Sequence, residues 1–392
     1  MRQRPICDGI KLVELASMVS GPLAGQGLAD LGAEVIKIEP LTGDPMRALG
    51  ASHSGVGSGF LHANRGKKSI ALDLKNSQGL AIAHKLVCSA DILLENYRPG
   101  VLDRLGLGFD DLKSLNPNLI YASVSGYGQS GPYRDRPAYD PIIQGISGMM
   151  HAQTRDGRPN AIRNPFADKI TGIATTSAIL GALFQRQREG MTGQRVCVSM
   201  LDAFASFAIP DMLLERSFEG APVDKPPAGD GYRPIQASDG WIICTIITDA
   251  QFASACEIFN IESLKADARF SNPPERTTHL SEMWDAFEAV SMRMNVADIV
   301  EAAAKKGLPL GPVNSLDQFM LDPQVINNGT FVRTSDSFGS FCQLKHPAEF
   351  SESPTTDSGR APTLGEHTNL VLNDLGFDET EIVALRNQNI VG

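Results

Sequence analysis

Residues 10–39 read IKLVELASMVSGPLAGQGLADLGAEVIKIE, and this stretch decides the fold class. Its first part, 10–17, is an apolar run typical of a buried strand, and the small residues from Gly21 to about Gly32 predict a helix. Apolar residues return at 34–39 and predict a second strand. A strand, a helix and a strand in this order form a unit whose two strands lie parallel in one sheet.

The same alternation continues along the chain. The next predicted elements are a strand at 69–74, a helix at about 78–89, a strand at 91–95, a helix at about 101–115 and a strand at 118–123. Such a series predicts an α/β fold, a Rossmann-like doubly wound parallel sheet with helices on both faces. The turn after the first strand lacks G-x-G-x-x-G spacing, which argues against a nicotinamide site. Residues 48–59 lack the end of a Walker A loop and are expected to form a mobile surface loop.

The second half of the chain predicts a smaller domain. A long helix beginning at Asp168, a strand at 194–200 and a helix from Leu201 to about Arg216 continue the large domain. Gly and Pro residues then accumulate, and Ser238-Asp239-Gly240 between apolar runs predicts a hairpin. Helices follow at about 251–259, 280–291 and 296–306, with an amphipathic helix reaching about Arg386. The predicted division is 1–216 for the first part of the large domain, 217–233 for a linker, 234–325 for a small α+β domain, and 326–392 for a linker and C-terminal return to the large domain.

Composition excludes several classes of protein. A net charge of −10 argues against nucleic-acid binding through phosphate neutralisation. The six cysteines are far apart and form no disulfide pattern, which favours a reducing, cytoplasmic location. No apolar stretch reaches the length of a membrane span, and no signal region precedes the first strand, so no membrane association is expected. The isolated histidines and carboxylates predict no metal site.

Asp168 is the candidate nucleophile. It follows the loop Asn164-Pro165-Phe166-Ala167 and opens a long apolar-periodic helix, which makes it a candidate N-cap. The helix dipole stabilises a carboxylate at that end by about 0.3 to 1 kcal/mol, so the group is expected to stay ionised. From this segment alone, a capping role and a nucleophilic role both remain open.

Basic residues gather in the first 105 positions, near the predicted strand ends. They are either solvated or part of a pocket for a small anionic ligand, because ligands of open parallel sheets bind beyond the carboxyl ends of strands. These residues are Lys37, Arg47, Arg65, Lys67, Lys68, Lys75, Arg98 and Arg104.

The chain resembles the class III coenzyme A transferases of the CaiB/BaiF type, which include formyl-CoA transferase and carnitine CoA-transferase. The pieces that carry the resemblance occur in family order over nearly the whole chain. They are Val13 to Pro22, Leu31 to Glu39, Asn64 to Lys75, Asp91 to Gly106, Gly126 to Gly131, Pro137 to Asp140, Ala167 to Gly172, and Leu364 to Thr368.

The resemblance implies that Asp168 is the catalytic nucleophile. Its carboxylate attacks an acyl-CoA thioester to form a mixed anhydride, which CoA converts to an aspartyl-CoA thioester, and an acceptor carboxylic acid then takes the CoA. The implied partners are an acyl-CoA donor, a carboxylic acid acceptor and a second copy of the chain in an interlocked homodimer. CoA enters as a substrate, and no tightly bound cofactor is implied.

The resemblance also assigns the residues that bind CoA and the acyl group. Tyr97 offers a flat face to adenine, and Arg98 and Arg104 offer guanidinium groups to phosphate. Arg136 and Tyr139 match a loop that reaches the pantetheine and acyl end. The other implied CoA contacts are Val19, Ser20, Leu72, Asp73, Leu74, Lys75 and Asn96.

Two alternatives to CoA transfer are an α-methylacyl-CoA racemase or CoA-ester isomerase of the same family and, from another class, a CoA-binding protein without catalysis. Racemases of this family carry a histidine base where this chain has Tyr139, and a tyrosine with an ordinary pKa of about 10 is a poor replacement. His151 lies twelve positions further on and is expected to be structural. A CoA-binding protein without catalysis would tolerate loss of Asp168. The stretch Pro226 to Arg233 is expected to shape the choice of acid, and the sequence names neither acid.

Overall fold

The structure is a computed structural model, and it describes residues 4–53, 56–190, 192–213, 216–218, 231–336, 339–356 and 359–392. The predicted linker at 217–233 and the candidate specificity loop at 226–233 lie mostly outside these residues. The chain divides into two compact units, Met1–Leu214 with Thr330–Gly392, and Glu215–Gly329.

The strands of both units are short. In chain order they are β1 (Lys11–Leu15), β2 (Glu34–Glu39), β3 (Ser52–His53), β4 (Val56–Gly57), β5 (Lys68–Ala71), β6 (Ile92–Glu95), β7 (Ile120–Ser125), β8 (Arg195–Ser199), β9 (Ile235–Gln236), β10 (Trp241–Cys244), β11 (Leu310–Pro312), β12 (Phe331–Asp336) and β13 (Gly339–Leu344).

Helices connect and cover these strands. They are α1 (Ser20–Asp30), α2 (Ser58–Asn64), α3 (Ser77–Cys88), α4 (Val101–Arg104), α5 (Phe109–Leu115), α6 (Asp140–Ile146), α7 (Met149–Ala152), α8 (Phe166–Glu189), α9 (Met200–Ala208), α10 (Asp249–Ile258), α11 (Pro273–Thr278), α12 (Leu280–Ser291), α13 (Val296–Lys306), α14 (Leu316–Leu321), α15 (Pro323–Asn327), α16 (Thr368–Asp374) and α17 (Glu379–Asn387). Short 3-10 helices add Pro45–Ala48, Pro210–Met212, Glu262–Ala266 and Ala268–Phe270.

The large unit is built on a six-stranded parallel sheet in the order β5-β2-β1-β6-β7-β8. Chain order runs outward in one direction from β1 through β2 to β5 and in the other from β6 to β8. The strand order therefore reverses between β1 and β6, and ligands of such sheets bind in the crevice at that point. The predicted α/β fold with a large parallel sheet is confirmed.

Apolar side chains cover both faces of the sheet because successive strand residues point to opposite sides. Val13 belongs to a buried cluster with Leu86 of α3 and Leu385 of α17. Leu12 belongs to the opposite cluster, with Leu28 of α1 and Ile179 of α8. The C-terminal segment thus contributes directly to the core of the large unit.

The second unit has its own small sheet and core. Strands β9, β10 and β11 form an antiparallel sheet in the order β11-β10-β9. Phe252 of α10, Phe259 at the end of α10 and Phe287 of α12 pack together in its core. The hairpin around Ser238-Asp239-Gly240 joins β9 to β10 as predicted, whereas β11 was not predicted.

Three predicted helices and one predicted loop were wrong in extent. The helix predicted at 101–115 is two helices, α4 and α5, separated at Gly106, whose φ of 66° suits glycine. The helix predicted to reach Arg216 ends at Ala208, ahead of Pro210. The C-terminal helix is divided into α16 and α17 at Gly376, with φ 88°. The loop predicted at 48–59 contains the β3–β4 hairpin and the start of α2, with residues 54–55 outside the described part.

Two general features concern the described residues alone. No helix among them has both the length and the apolar character that crossing a membrane requires. No group of three or more His, Cys, Asp or Glu side chains among them is arranged to hold a metal ion.

Candidate active site

A cavity of about 200 Å³ lies at the carboxyl ends of β1 and β6, where the strand order reverses; we call it the first cavity. Asp168 lies in its wall. The lining residues are Ser17, Met18, Ser20, Asn96, Tyr97, Arg98, Pro99, Val124, Ser125, Gly126, Arg134, Arg136, Pro137, Ala138, Tyr139, Asp168 and Met200. The cavity therefore brings together Asp168 and six of the other predicted site residues.

Asp168 is not the cap of its helix, contrary to the prediction. It is the third residue of α8, and Pro165 at the capping position offers no side-chain hydrogen bond. The carboxylate of Asp140 performs the capping role instead. Its Oδ2 accepts hydrogen bonds from the backbone N–H groups of Ala167 at 2.6 Å and Asp168 at 3.2 Å. Because this cap comes from the first residue of α6, the side chain of Asp168 is free to face the cavity.

Asp140 is itself held by a buried glutamine. Gln144 Nε2 donates to Asp140 Oδ1 at 2.6 Å, and Gln144 Oε1 accepts from the backbone N–H of Ile162 at 2.9 Å. Asp140 is only 5% exposed and Gln144 only 1%. Helix α6 thus positions both the start of α8 and the loop before it.

The pKa of Asp168 is raised to about 6, against an expectation that the helix terminus would favour its charged form. Burial is the largest cause, the negative charge of Asp140 adds to it, and a hydrogen bond from the Ser20 side chain opposes it. A carboxyl with a pKa of about 6 is still mostly ionised at pH 7. It is also more basic, and so a better nucleophile, than an ordinary aspartate.

Close packing of α1 against α8 places Ser20 next to Asp168. A Cβ atom added at Gly172 would lie 3.0 Å from Cβ of Leu23 and 3.1 Å from the backbone oxygen of Ser20. One added at Gly27 would lie 2.9 Å from Oγ1 of Thr176. The two helices therefore approach at a distance that glycine permits, and their first turns meet at the cavity.

The loop after β1 is held in an unusual conformation. Met18 has a φ of 66°, and its N–H donates to Asp44 Oδ1 at 3.2 Å. The side-chain amide of Asn96 accepts from the N–H of Ser17 at 2.9 Å and donates to its carbonyl oxygen at 2.7 Å. Because both the oxygen and the nitrogen of the side-chain amide bind Ser17, Asn96 fixes the backbone of the loop after β1 at the cavity wall.

Five of the eight basic residues noted in the sequence are already paired, which excludes them from a free anion-binding surface. Buried Lys37 and Lys67 both bind Glu14, with Nζ to Oε distances of 3.0 and 2.7 Å. The other pairs are Arg47 with Glu39, Arg65 with Asp30, and Lys68 with Glu34.

Among the described residues, the other three basic residues have no such partner. Lys75, Arg98 and Arg104 are exposed, and no carboxylate in the described part of the chain lies within ion-pair distance of them. Arg136 is also exposed and stacks on the ring of Tyr133, with Cζ 3.8 Å from its centroid. These four cations are therefore available to a ligand.

A second cavity, of about 620 Å³, lies beside the first and shares Tyr97 with it. Five further predicted CoA contacts, Leu72, Asp73, Leu74, Lys75 and Arg104, line this second cavity together with Ile38, Glu39, Pro40, Leu41, Thr42, Val101 and Leu105. The predicted contacts therefore fall into two groups that meet at Tyr97.

Two predicted site residues have a structural environment. Leu72 is 1% exposed and belongs to the sheet core, although it borders the second cavity. Val19 lines neither cavity, and it packs against the cluster of Met46, Val56 and Phe60. The half-buried side chain of Val19 therefore packs on the side of the loop after β1 that faces away from the first cavity.

Comparison with known proteins decides the family. The model of CoA-transferase family III matches residues 7–368. The chain belongs to this family.

Individual relatives match over nearly their whole length. The chain is 35% identical to the succinate–glutarate CoA-transferase of Agrobacterium fabrum, over 95% of this chain and 96% of that one. It is 30% identical to the formyl-CoA:oxalate CoA-transferase of Afipia carboxidovorans, over 98% and 97% of the two chains. The crystal structure of a CaiB/BaiF family protein from Brucella suis has a TM-score of 0.85 and 32% identity, over 95% of this chain and all of that one. The predicted family is confirmed, and the chain is a class III CoA-transferase.

The residues that support the site of this transferase were not predicted from sequence. Asp140 binds the backbone at the first turn of α8, Gln144 binds the loop before it, and Asp44 binds the loop after β1, and none of the three was assigned a role from sequence. Asp140-Pro141 is a typical helix start and could have drawn attention to α6. Its pairing with a helix 27 residues away has no local signal.

His151 lies in α7 with an exposed side chain, and it lines neither cavity. Tyr139, at the mouth of the first cavity, is 60% exposed.

Proposed function

We propose that this enzyme moves CoA from an acyl-CoA donor to a carboxylic acid acceptor, with Asp168 as the nucleophile. The observation that carries the proposal is the position of Asp168, which faces the first cavity from the first turn of α8 with its pKa raised to about 6. An ionised carboxylate of raised basicity lies in a cavity that meets, at Tyr97, a second cavity lined by the cations Lys75 and Arg104, and this arrangement suits attack on an anionic thioester.

In this proposal the CoA ester would extend across the two cavities, which meet at Tyr97. Its nucleotide end would occupy the larger cavity, where Lys75 and Arg104 offer positive charge to phosphate. The pantetheine arm would pass Tyr97, and the thioester would reach Asp168 in the smaller cavity. This placement uses the cations that have no protein partner in the described residues.

The reaction is a sequence of four exchanges at carbonyl carbons. A carboxylate oxygen of Asp168 attacks the thioester carbon, the C–S bond breaks, and CoA thiolate leaves an acyl-aspartyl anhydride. The thiolate attacks the aspartyl carbonyl and releases the donor acid, which leaves an aspartyl-CoA thioester. The acceptor carboxylate then attacks this thioester and again expels the thiolate. Attack of the thiolate on the acceptor carbonyl forms the new CoA ester and restores the Asp168 carboxylate.

A dicarboxylic acid is the proposed acceptor class. Arg98, Arg134 and Arg136 line the same cavity as Asp168. While one carboxylate of the acceptor reacts, a guanidinium can hold the other by paired hydrogen bonds. The names of the relatives, a succinate–glutarate and a formyl-CoA:oxalate CoA-transferase, support this class.

The test is a screen of acyl-CoA donors against mono- and dicarboxylic acids, followed by mass spectrometry of the Asp168 peptide under turnover. We expect transfer and an acyl or CoA adduct on Asp168, both lost in Asp168→Asn. Asp202→Asn is the matched control, because Asp202 is also the third residue of its helix, is exposed and lines neither cavity. Full activity in Asp168→Asn would exclude the nucleophile assignment. Rapid α-deuteration of the acyl-CoA in deuterated water without an acceptor would favour a racemase.

We also propose a homodimer. Apolar side chains on α6 and α8 are exposed in the single chain: Ile142 at 49%, Ile146 at 46%, Ile173 at 67% and Phe184 at 60%. Such surface is typical of interfaces between subunits. Sedimentation velocity is expected to give twice the mass of one chain, and Ile173→Asp is expected to shift the protein towards monomer.

A further inference from the structure

Glu95 is a buried carboxylate at the end of β6 that the proposed reaction does not use. It is 5% exposed and directly precedes the cavity residues Asn96, Tyr97 and Arg98. Its Oε2 accepts a hydrogen bond from the backbone N–H of Tyr97 at 2.8 Å. The carboxylate therefore folds back on its own chain and sets the direction in which the loop leaves the sheet.

A chain of hydrogen bonds extends from Glu95 across two neighbouring strands. The hydroxyl of Ser123 on β7 donates to Glu95 Oε1. Gln129 Nε2 donates to Ser123 Oγ at 2.9 Å, and Arg195 of β8 donates to Gln129 Oε1 at 3.0 Å. Through these bonds one carboxylate ties the ends of β6 and β7 and the loop after β7.

Several charged or titratable groups surround this carboxylate. Arg195 favours its charged form, whereas Asp103 of α4 disfavours it. Tyr121 of β7, Tyr97 and Cys197 of β8 also interact electrostatically with Glu95. Burial is the largest influence and raises the pKa of Glu95 to about 7, against the hydrogen bonds from Ser123 and the Tyr97 backbone. The group thus changes charge in the neutral pH range.

We propose that Glu95 is a positioning residue for CoA transfer, whose carboxylate holds the loop 96–98 against the CoA ester and weakens that hold when it is protonated. A charged acceptor binds a backbone N–H more strongly than a neutral one, so the loop is best ordered when Glu95 is ionised. The inference rests on the proposed placement of CoA along Tyr97. It predicts that CoA binding depends on the protonation of a residue that does not touch CoA.

The test measures the Kd of CoA by calorimetry for the wild type and Glu95→Gln between pH 5.5 and 8.5. Glutamine keeps the shape and one acceptor oxygen but cannot ionise. We expect the ratio of the two Kd values, variant to wild type, to be roughly 5 to 10 at pH 8.5 and to approach one at pH 5.5. Using the ratio cancels the titration of the CoA phosphates, which is common to both proteins. At pH 8.5, the Glu95→Gln substitution should raise the KM for acyl-CoA by a larger factor than it lowers kcat.

Asp91→Asn is the matched control. Asp91 lies just before the opposite end of β6, where it accepts a hydrogen bond from the backbone N–H of Lys11 at 2.9 Å. This variant should keep a Kd ratio near one at every pH, provided that its thermal unfolding resembles that of Glu95→Gln. A Glu95→Gln ratio near one throughout, or one that does not change with pH, overturns the proposal.

If Glu95→Gln does not fold, the Ser123→Ala variant provides the same test. Losing the Ser123 hydrogen bond raises the pKa of Glu95 further, so the Kd ratio should exceed one near pH 7 and return towards one at pH 5.5 and 8.5. A flat ratio overturns the proposal. If the wild type itself binds no CoA, the proposed placement of CoA fails first, and this result is distinct from wild-type binding with unchanged variants.

Discussion

Asp140 caps the helix that carries Asp168, and its Oδ2 lies 3.2 Å from the backbone nitrogen of Asp168. The same carboxylate has two effects on Asp168. Its hydrogen bonds hold the first turn of α8 in place, and its negative charge contributes to the raised pKa of Asp168. One side chain from another helix therefore holds Asp168 in position and adds to the effect of burial on its pKa.

The Asp140→Asn variant should separate these two effects. Asparagine keeps an oxygen for the backbone N–H groups but removes the charge, so the pKa of Asp168 should fall. We expect the acid limb of the pH profile of kcat/KM for the CoA ester to move to lower pH. Asp140→Ala, which removes the cap as well, should cost about 1 to 2 kcal/mol of stability in urea unfolding. An unchanged acid limb in Asp140→Asn would show that the charge does not reach Asp168.

The activity of the wild type should depend on the ionisation of Asp168. With a pKa of about 6, the reactive carboxylate is mostly present at pH 7 and is lost as the pH falls through 6. We expect kcat/KM for the CoA ester, which reports the free enzyme, to fall by about tenfold for each pH unit well below 6, measured with one donor and one acceptor at a fixed acceptor concentration. A profile that is flat from pH 7 to 4.5 would contradict the assignment.

Asp168→Asn should be more stable than the wild type at pH 8. The folded-state pKa of Asp168 lies above its ordinary value, so its contribution to stability is fully present below pH 3.8 and is lost as the pH rises through about 6. Asparagine does not ionise and avoids this loss. We expect a gain of roughly 1 to 3 kcal/mol at pH 8 that nearly vanishes at pH 3.5, from denaturant unfolding at both values. An equal gain at both pH values would point to a cause other than ionisation.

Two glycines of α8 should respond oppositely to alanine. At Gly172 a Cβ atom would press on Leu23 and Ser20 at 3.0 and 3.1 Å, whereas Gly181 has nothing within 4 Å. Gly181→Ala should stabilise the protein by about 0.5 to 1 kcal/mol through helix propensity, with unchanged kcat. Gly172→Ala should forgo that gain and lower kcat, because Asp168 moves relative to Ser20. Thermal unfolding and steady-state rates of the two variants provide the comparison.

Arginines of the two cavities should affect different substrates. Arg104 borders the larger cavity, so Arg104→Gln should weaken CoA binding by about tenfold with little effect on acceptor choice. Arg136 borders the smaller one, so Arg136→Gln should raise the KM of dicarboxylic acceptors by a similar factor of about ten and that of monocarboxylic acids less. The check is a matrix of KM values, and equal effects of both variants on CoA and acceptor would contradict the two-cavity placement.

Several elements could be predicted closely because their signals are local. Helices at 280–291 and 296–306 have the predicted bounds, and Gly307, with φ 65°, ends the second of them. The strand at 34–39 is also as predicted. Hydrophobic periodicity and turn residues act over a few positions, so the sequence displays them directly.

The candidate site was predicted in its members and only partly in their arrangement. The motifs name Asp168, Ser20 and Tyr97, and the structure places all three at the first cavity. The motifs do not reveal that Lys37 and Lys67 form ion pairs with Glu14, because the three residues lie on different elements. Ion pairing depends on which elements pack together, and composition near a strand end does not report it.

The sequence by itself determined the alternation of strands and helices, the family, and the choice of Asp168 as the candidate nucleophile. Only the tertiary structure decided that Asp140 caps the helix, that Asn96 clamps Ser17, and that the predicted CoA contacts fall into two cavities meeting at Tyr97. The physical reason is the separation along the chain of the residues that interact. Periodicity and capping are properties of neighbouring residues, whereas hydrogen bonds between distant segments and the burial that raises a pKa exist only after the sheet has brought those segments together.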